Sequence, residues 1–163
     1  MKPRILIVDD EETIRYFLRL ELEQLDYEVW DAATGEKAMQ LLDTHSFDVI
    51  LLDLRLPGIG GLKVMRYCKQ TSPHTSIIII TAYATLDSAI DALKHGAHDY
   101  ILKPFNTAQV LASVASGIAR RGERLPLAAH QTESKIAGPL KLDPKGRQIY
   151  LNDTPLKLTP TEF

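Results

Sequence analysis

The chain is short of most residues that announce a special architecture. A single cysteine, Cys68, rules out an internal disulfide framework and suits a reducing cytoplasm, the expected location. The five histidines show no Cys/His ligand spacing. His95 and His98 flank Gly96, where a helix should stop, so they read as surface residues rather than a zinc site. No apolar run approaches membrane-spanning length, and the N-terminus lacks the apolar centre of a signal peptide. Charge of one sign is also missing. Residues 1–121 hold 13 Lys+Arg against 16 Asp+Glu, a net of −3, and residues 122–163 hold 6 against 5, a net of +1. Neither part has the basic excess that binding a phosphate backbone favours. A glycine-rich phosphate loop is absent too: Asp9-Asp10-Glu11-Glu12 stands where a dinucleotide-binding turn needs glycines.

What is present is the balance of a soluble globular protein, 45% hydrophobic and 25% charged over 163 residues, enough for one ordinary domain and a small second one. The most informative stretch is Val49-Ile50-Leu51-Leu52-Asp53, four apolar residues ending in a carboxylate, with Pro57-Gly58 shortly after. Such a run bounded by turn residues reads as a strand buried on both faces, as in parallel sheets. The same strand-then-helix unit recurs five times over residues 4–121. Strands are expected at 4–8, 29–33, 49–52, 76–80 and 100–102. Between them, Ile14, Phe17, Leu18, Leu22 and Leu25 make one helical stripe, and Thr34 caps a second helix with Ala38, Leu41 and Leu42 inward. A third helix follows from about 61 to 70. Ala89, Ile90 and Leu93 line a fourth that Gly96 ends, and Asn106 opens a last one with Val110, Leu111, Val114 and Ile118 inward. Strict alternation means right-handed crossovers and a doubly wound α/β fold, a five-stranded parallel sheet in the flavodoxin-like order 2-1-3-4-5.

The chemically capable residues follow the buried strands: Asp9 and Asp10 after the first, Asp53 after the third, Thr81 after the fourth, Lys103-Pro104 after the fifth. In this strand order the first and third strands are neighbours, and sites sit at that switch point. Three carboxylates there repel one another unless a cation joins them, and an all-oxygen ligand set suits a hard ion such as Mg²⁺. Lys103 supplies a point charge for a phosphoryl oxygen and Thr81 a hydroxyl, leaving the central Asp53 as the acceptor of an acyl phosphate. Each residue alone has a plainer reading. An Asp-Asp-Glu-Glu run complements a helix dipole, Tyr100 is an ordinary strand aromatic, and Thr81 caps a turn. The whole set in order favours the functional reading.

The set Asp9-Asp10, Asp53, Thr81, Tyr100 and Lys103-Pro104 resembles the receiver domain of two-component response regulators, over roughly residues 3–121. The resemblance implies that Asp53 accepts phosphate from a sensor histidine kinase. Asp10 would ligate Mg²⁺ directly and Asp9 largely through water, with the backbone carbonyl of Arg55 completing the metal site. Lys103 would hold the phosphoryl group beside a cis bond to Pro104, and Thr81 and Tyr100 would switch in response. It implies a phosphoacceptor switch whose only chemistry is its own phosphorylation and dephosphorylation, not an enzyme acting on other substrates. Arg55 and Tyr83 border the path of the hydrolytic water in that family, so they are expected to tune the phosphate's lifetime; the plainer alternative is that both point into solvent.

Residues 122–139 have no period and end at Gly138-Pro139, as a linker does. Three short strands are expected at 140–142, 148–151 and 155–158, and Thr159-Pro160-Thr161-Glu162 matches a capping box. This tail resembles the opening of the winged-helix effector domain of OmpR/PhoB-type regulators, here truncated, so DNA binding is expected only of a longer version. In that family the face made by the fourth helix, fifth strand and fifth helix forms a symmetric dimer through opposed charges. Here Gln109, Ser113 and Ser116 occupy the last helix and His98 replaces the first acid before Tyr100, which weakens the expectation of a homodimer. Two other functions are weighed: a stand-alone receiver acting by protein contact or kinase competition, and an aspartyl-nucleophile phosphatase. The phosphatase pattern needs a second Asp two residues after the nucleophile of the first strand, whereas Asp9 is followed by Asp10 and then Glu11.

Overall fold

A computed structural model describes residues 1–122 and three short strand segments beyond them. Five strands, β1 (Arg4–Val8), β2 (Glu28–Ala32), β3 (Val49–Leu52), β4 (Ser76–Thr81) and β5 (Asp99–Leu102), form one parallel sheet in the order β2-β1-β3-β4-β5. Five helices connect and follow them: α1 (Glu12–Gln24), α2 (Gly35–Thr44), α3 (Gly61–Thr71), α4 (Leu86–Lys94) and α5 (Thr107–Gly122). The expected architecture and strand order are both present.

Period-two alternation divides the apolar strand residues between two layers. Leu6, Val8, Ile50, Leu52, Ile77 and Ile79 pack on one face with Ala38 and Leu42 of α2, Val64, Met65 and Cys68 of α3, and Ala89 and Ala92 of α4. Ile5, Ile7, Val49, Leu51, Ile78 and Ile80 pack on the other with Leu18 and Leu22 of α1 and Val110 and Val114 of α5. Cys68 lies within the first layer, where burial pushes its thiol up to about 11, away from nucleophilic chemistry.

Local signals behave as their chemistry requires. Thr34 Oγ1 accepts the Lys37 N–H at 3.2 Å, capping α2. Thr85 and Ser88 form a reciprocal capping box on α4, and Asn106 Oδ1 accepts the Ala108 N–H at 2.8 Å where α5 opens. Gly96, with φ +81°, takes the left-handed conformation just past α4.

Leu41, Leu111 and Ile118 face inward as expected, partly buried against the two layers. Two expectations are corrected. Phe17 and Leu25 are exposed, 42% and 49%, because the face of α1 that meets the sheet runs through Ile14, Leu18 and Leu22. His95 and His98 are half-buried rather than on the open surface, His98 through hydrogen bonds to Ser116 and Arg120.

Beyond Gly122, Leu140–Leu142, Ile149–Leu151 and Thr154–Pro155 (β6 to β8) pair antiparallel in the order β6-β7-β8. The rest of the expected linker, residues 156–158 and the capping box at 159–162 lie outside the described residues. Among the described residues no helix is long and apolar enough to cross a membrane.

Candidate phosphoacceptor site

Hydrogen bonding of the sheet continues one residue past three strands and so fixes the site. Asp9 N–H donates to the Ala32 carbonyl at 3.1 Å, Asp53 N–H to Val8 at 2.9 Å, and Lys103 N–H to Thr81 at 2.9 Å. The side chains of Asp9, Asp53 and Lys103 are thereby aimed from β1, β3 and β5 into one hollow at the carboxyl edge. One carboxylate oxygen from each of Asp9, Asp10 and Asp53 lies within 4.8 Å of the others. Asp9 and Asp53 are only 3% and 5% exposed, while Asp10 opens to solvent. Lys103 Nζ sits 2.7 Å from Asp9 Oδ2 and 3.0 Å from Asp53 Oδ2, beside a cis Lys103-Pro104 bond.

The electrostatics follow from that crowding. Burial raises the pKa of Asp9, and its bonds from Lys103 and the Glu11 N–H offset this only in part. Burial would lower the Lys103 pKa, but hydrogen bonds to Asp9, Glu11 and Asp53 outweigh it and raise the pKa. One ammonium therefore serves two buried carboxylates, and an exposed third faces solvent beside them. Such an oxygen-only set fits a small hard divalent cation, which would bring the compensating charge that Lys103 alone does not.

Around this centre, the other expected residues divide. Thr81 ends β4 fully buried, and its Oγ1 accepts the Tyr83 N–H at 3.2 Å. Tyr100 is 2% exposed and already points inward, its hydroxyl 3.2 Å from Ser88 Oγ. Arg55 N–H donates to Asp53 Oδ1 at 3.0 Å. The Arg55 side chain reaches outward and stacks on the Tyr83 ring, its Cζ 3.7 Å from the centroid. Both residues are exposed, Tyr83 at 54%, and they meet each other there rather than extending separately.

The Response regulator receiver domain family matches residues 5–115 of this chain. The chain belongs to that family. The alkaline phosphatase synthesis transcriptional regulatory protein PhoP of Bacillus subtilis is 36% identical over 171 residues, covering 100% of this chain and 70% of PhoP. A CheY-like receiver domain from Methanospirillum hungatei is 30% identical with a TM-score of 0.74, covering 76% of this chain and 98% of that one. A response regulator from Burkholderia pseudomallei, solved with a phosphorylated aspartic acid, a calcium ion and citrate, is 28% identical with a TM-score of 0.65 and covers 78% of each chain.

Four parts of this receiver's site escaped the sequence. Glu11 reaches Lys103 Nζ at 2.7 Å from the loop before α1, although its position reads only as dipole complementation. Arg15 donates from Nη1 to the Asp9 carbonyl at 2.8 Å and from Nε to Asp31 Oδ2 at 3.0 Å, tying the acidic loop to the end of β2. Ser88 holds the Tyr100 hydroxyl. Gly61 is required by close approach, since a Cβ there would collide with the backbone carbonyl of Asp53. Of these, only Glu11 lay in a motif that could have drawn attention to it.

Proposed function

We propose that this receiver takes a phosphoryl group onto Asp53 from a phosphohistidine of a sensor kinase. An Asp53 carboxylate oxygen attacks phosphorus, a P–O bond forms, the P–N bond breaks, and the electron pair leaves on the imidazole nitrogen. Asp9, Asp10, Asp53 and the Arg55 carbonyl would hold Mg²⁺. Bound there, Mg²⁺ supplies positive charge that screens the carboxylates from the incoming phosphoryl group. Lys103 is drawn from Asp9 and Glu11 toward a phosphoryl oxygen, exchanging one anionic partner for another. Thr81 turns its hydroxyl to a second oxygen and gives up the Tyr83 N–H. Tyr100, linked to α4 through Ser88, carries that movement toward the α4–β5–α5 face. Regulation of transcription, as in PhoP, is the output we infer, in the cytoplasm.

The observation that supports this reading is the single ammonium of Lys103 held between the buried carboxylates of Asp9 and Asp53. Incubation with a small phosphodonor and Mg²⁺ should add one phosphoryl mass to the wild type and none to Asp53→Asn. An adduct of equal yield in Asp53→Asn would move the acceptor elsewhere.

A further inference from the structure

Glu11 occupies the N-cap of α1, where helices favour Ser, Thr, Asp or Asn because a short side chain can accept the N–H groups of the first turn. Its side chain makes no such bond. The backbone instead fixes the residue on both sides: its N–H donates to Asp9 Oδ1 at 2.9 Å, and its carbonyl accepts the Arg15 N–H at 3.2 Å. From there the carboxylate turns toward Lys103 and meets Nζ at 2.7 Å. A residue that leaves its helix uncapped and reaches across the site is placed for the site rather than for the helix.

A lysine ammonium has three N–H donors and no acceptor. Those of Lys103 face three carboxylates, with Asp9 Oδ2 at 2.7 Å, Glu11 Oε1 at 2.7 Å and Asp53 Oδ2 at 3.0 Å. Every donor is taken, so a phosphoryl oxygen reaches Lys103 only by replacing a carboxylate. The three are unequal. Asp9 and Asp53 are 4% and 6% exposed, whereas Glu11 is 57% exposed. An ion pair with one member in water is weak and screened, and is the one exchanged at least cost. Glu11 also sets a negative charge on the solvent side of Lys103.

We propose that Glu11 is a specificity-determining residue of phosphoryl transfer: it fills the outer donor of Lys103 until the phosphoryl group displaces it, and its charge selects against dianionic phosphodonors. The inference rests on Asp53 being the acceptor. Displacement applies to any phosphoryl group, because each needs the same N–H. Repulsion scales with the charge of the donor. It therefore falls more heavily on acetyl phosphate, a dianion, than on phosphoramidate, a monoanion at neutral pH whose P–N bond resembles that of phosphohistidine. Glu11 thereby lowers the response to free acyl phosphates relative to P–N donors.

The test compares the wild type with Glu11→Gln, which keeps the length of the side chain and both backbone bonds and removes the charge. Adduct formation in Mg²⁺ is followed by intact mass with acetyl phosphate and with phosphoramidate. Both rate constants should rise, and the ratio of the first to the second should rise about threefold, the effect of one added unit charge across several ångströms of water. Added KCl should shrink that change in ratio. A general change in folding or metal loading would move both donors alike and leave the ratio unaltered. The free protein gives a second readout: in EDTA, without phosphodonor, the Lys103 ammonium protons should exchange with water severalfold faster in Glu11→Gln. An unchanged ratio, or ammonium protons that exchange as in the wild type, would overturn the role of Glu11 alone. Adduct in neither protein with either donor would overturn it together with Asp53 as the acceptor.

Discussion

Lys103→Met gives the most direct test of how the candidate phosphoacceptor site is held. The substitution keeps length and apolar stem but removes the charge shared by Asp9 and Asp53, whose side chains are 4% and 6% exposed. Removing one partner of a buried ion pair generally destabilises by about 3–5 kcal/mol. Asp10 is exposed and keeps water near the cluster, so the lower end applies, about 3 kcal/mol. With a urea slope of about 1.5 kcal/mol/M, the unfolding midpoint in EDTA should fall by about 2 M. Mg²⁺ at a hundredfold excess over its dissociation constant stabilises by about 2.7 kcal/mol and should recover much of that loss. The pH dependence has a definite sign. Burial already raises Asp9 above its ordinary value of 3.8, and loss of Lys103 raises it further. A group raised in the folded state favours folding below its unfolded value, and that benefit disappears as pH climbs through the folded value. The deficit of the variant should therefore shrink as pH falls from neutrality toward the carboxylate range. A loss under about 1 kcal/mol in EDTA at neutral pH would refute the reasoning, because it is the range of an exposed pair.

Two further outcomes follow from the geometry. Arg55 and Tyr83, two positions after Asp53 and Thr81, stack on each other, so Arg55→Ala with Tyr83→Ala should shorten the life of the Asp53 adduct about tenfold, a barrier change of about 1.4 kcal/mol; decay after phosphodonor removal measures it, and an unchanged half-life would show that they do not exclude water. Gly61→Ala forces a methyl against the Asp53 carbonyl and should lower stability by about 1–3 kcal/mol while slowing phosphorylation, read by urea unfolding and intact mass; an unperturbed variant would mean that the β3–α3 junction yields freely.

The fold and the centre of the site were legible because both rest on short-range rules. Apolar runs of four to six residues cannot be solvated and become buried strands, and alternation with helical stripes leaves one economical topology. Since every strand of a parallel sheet points the same way, residues that follow the strands gather at one edge. Asp9, Asp53 and Lys103 could be brought together by counting strands alone. Helical periodicity, by contrast, identifies a face but not how much of it is covered, and so Phe17 and Leu25 read as inward and are exposed.

What the tertiary structure alone decided are contacts between residues whose own positions look ordinary. Glu11 meets Lys103 across 92 positions, and Arg15 joins the Asp9 carbonyl to Asp31. Arg55 lies on the exposed Tyr83 ring, and His98 turns toward Arg120 and Ser116. Each involves a long or polar side chain whose conformation depends on the exact separation and twist of neighbouring elements. Hydrophobic pattern specifies which face of a strand or helix is buried, because that term is large and nonspecific. Which polar tips meet at the edges depends on distances of a few ångströms, and those exist only once the sheet has formed.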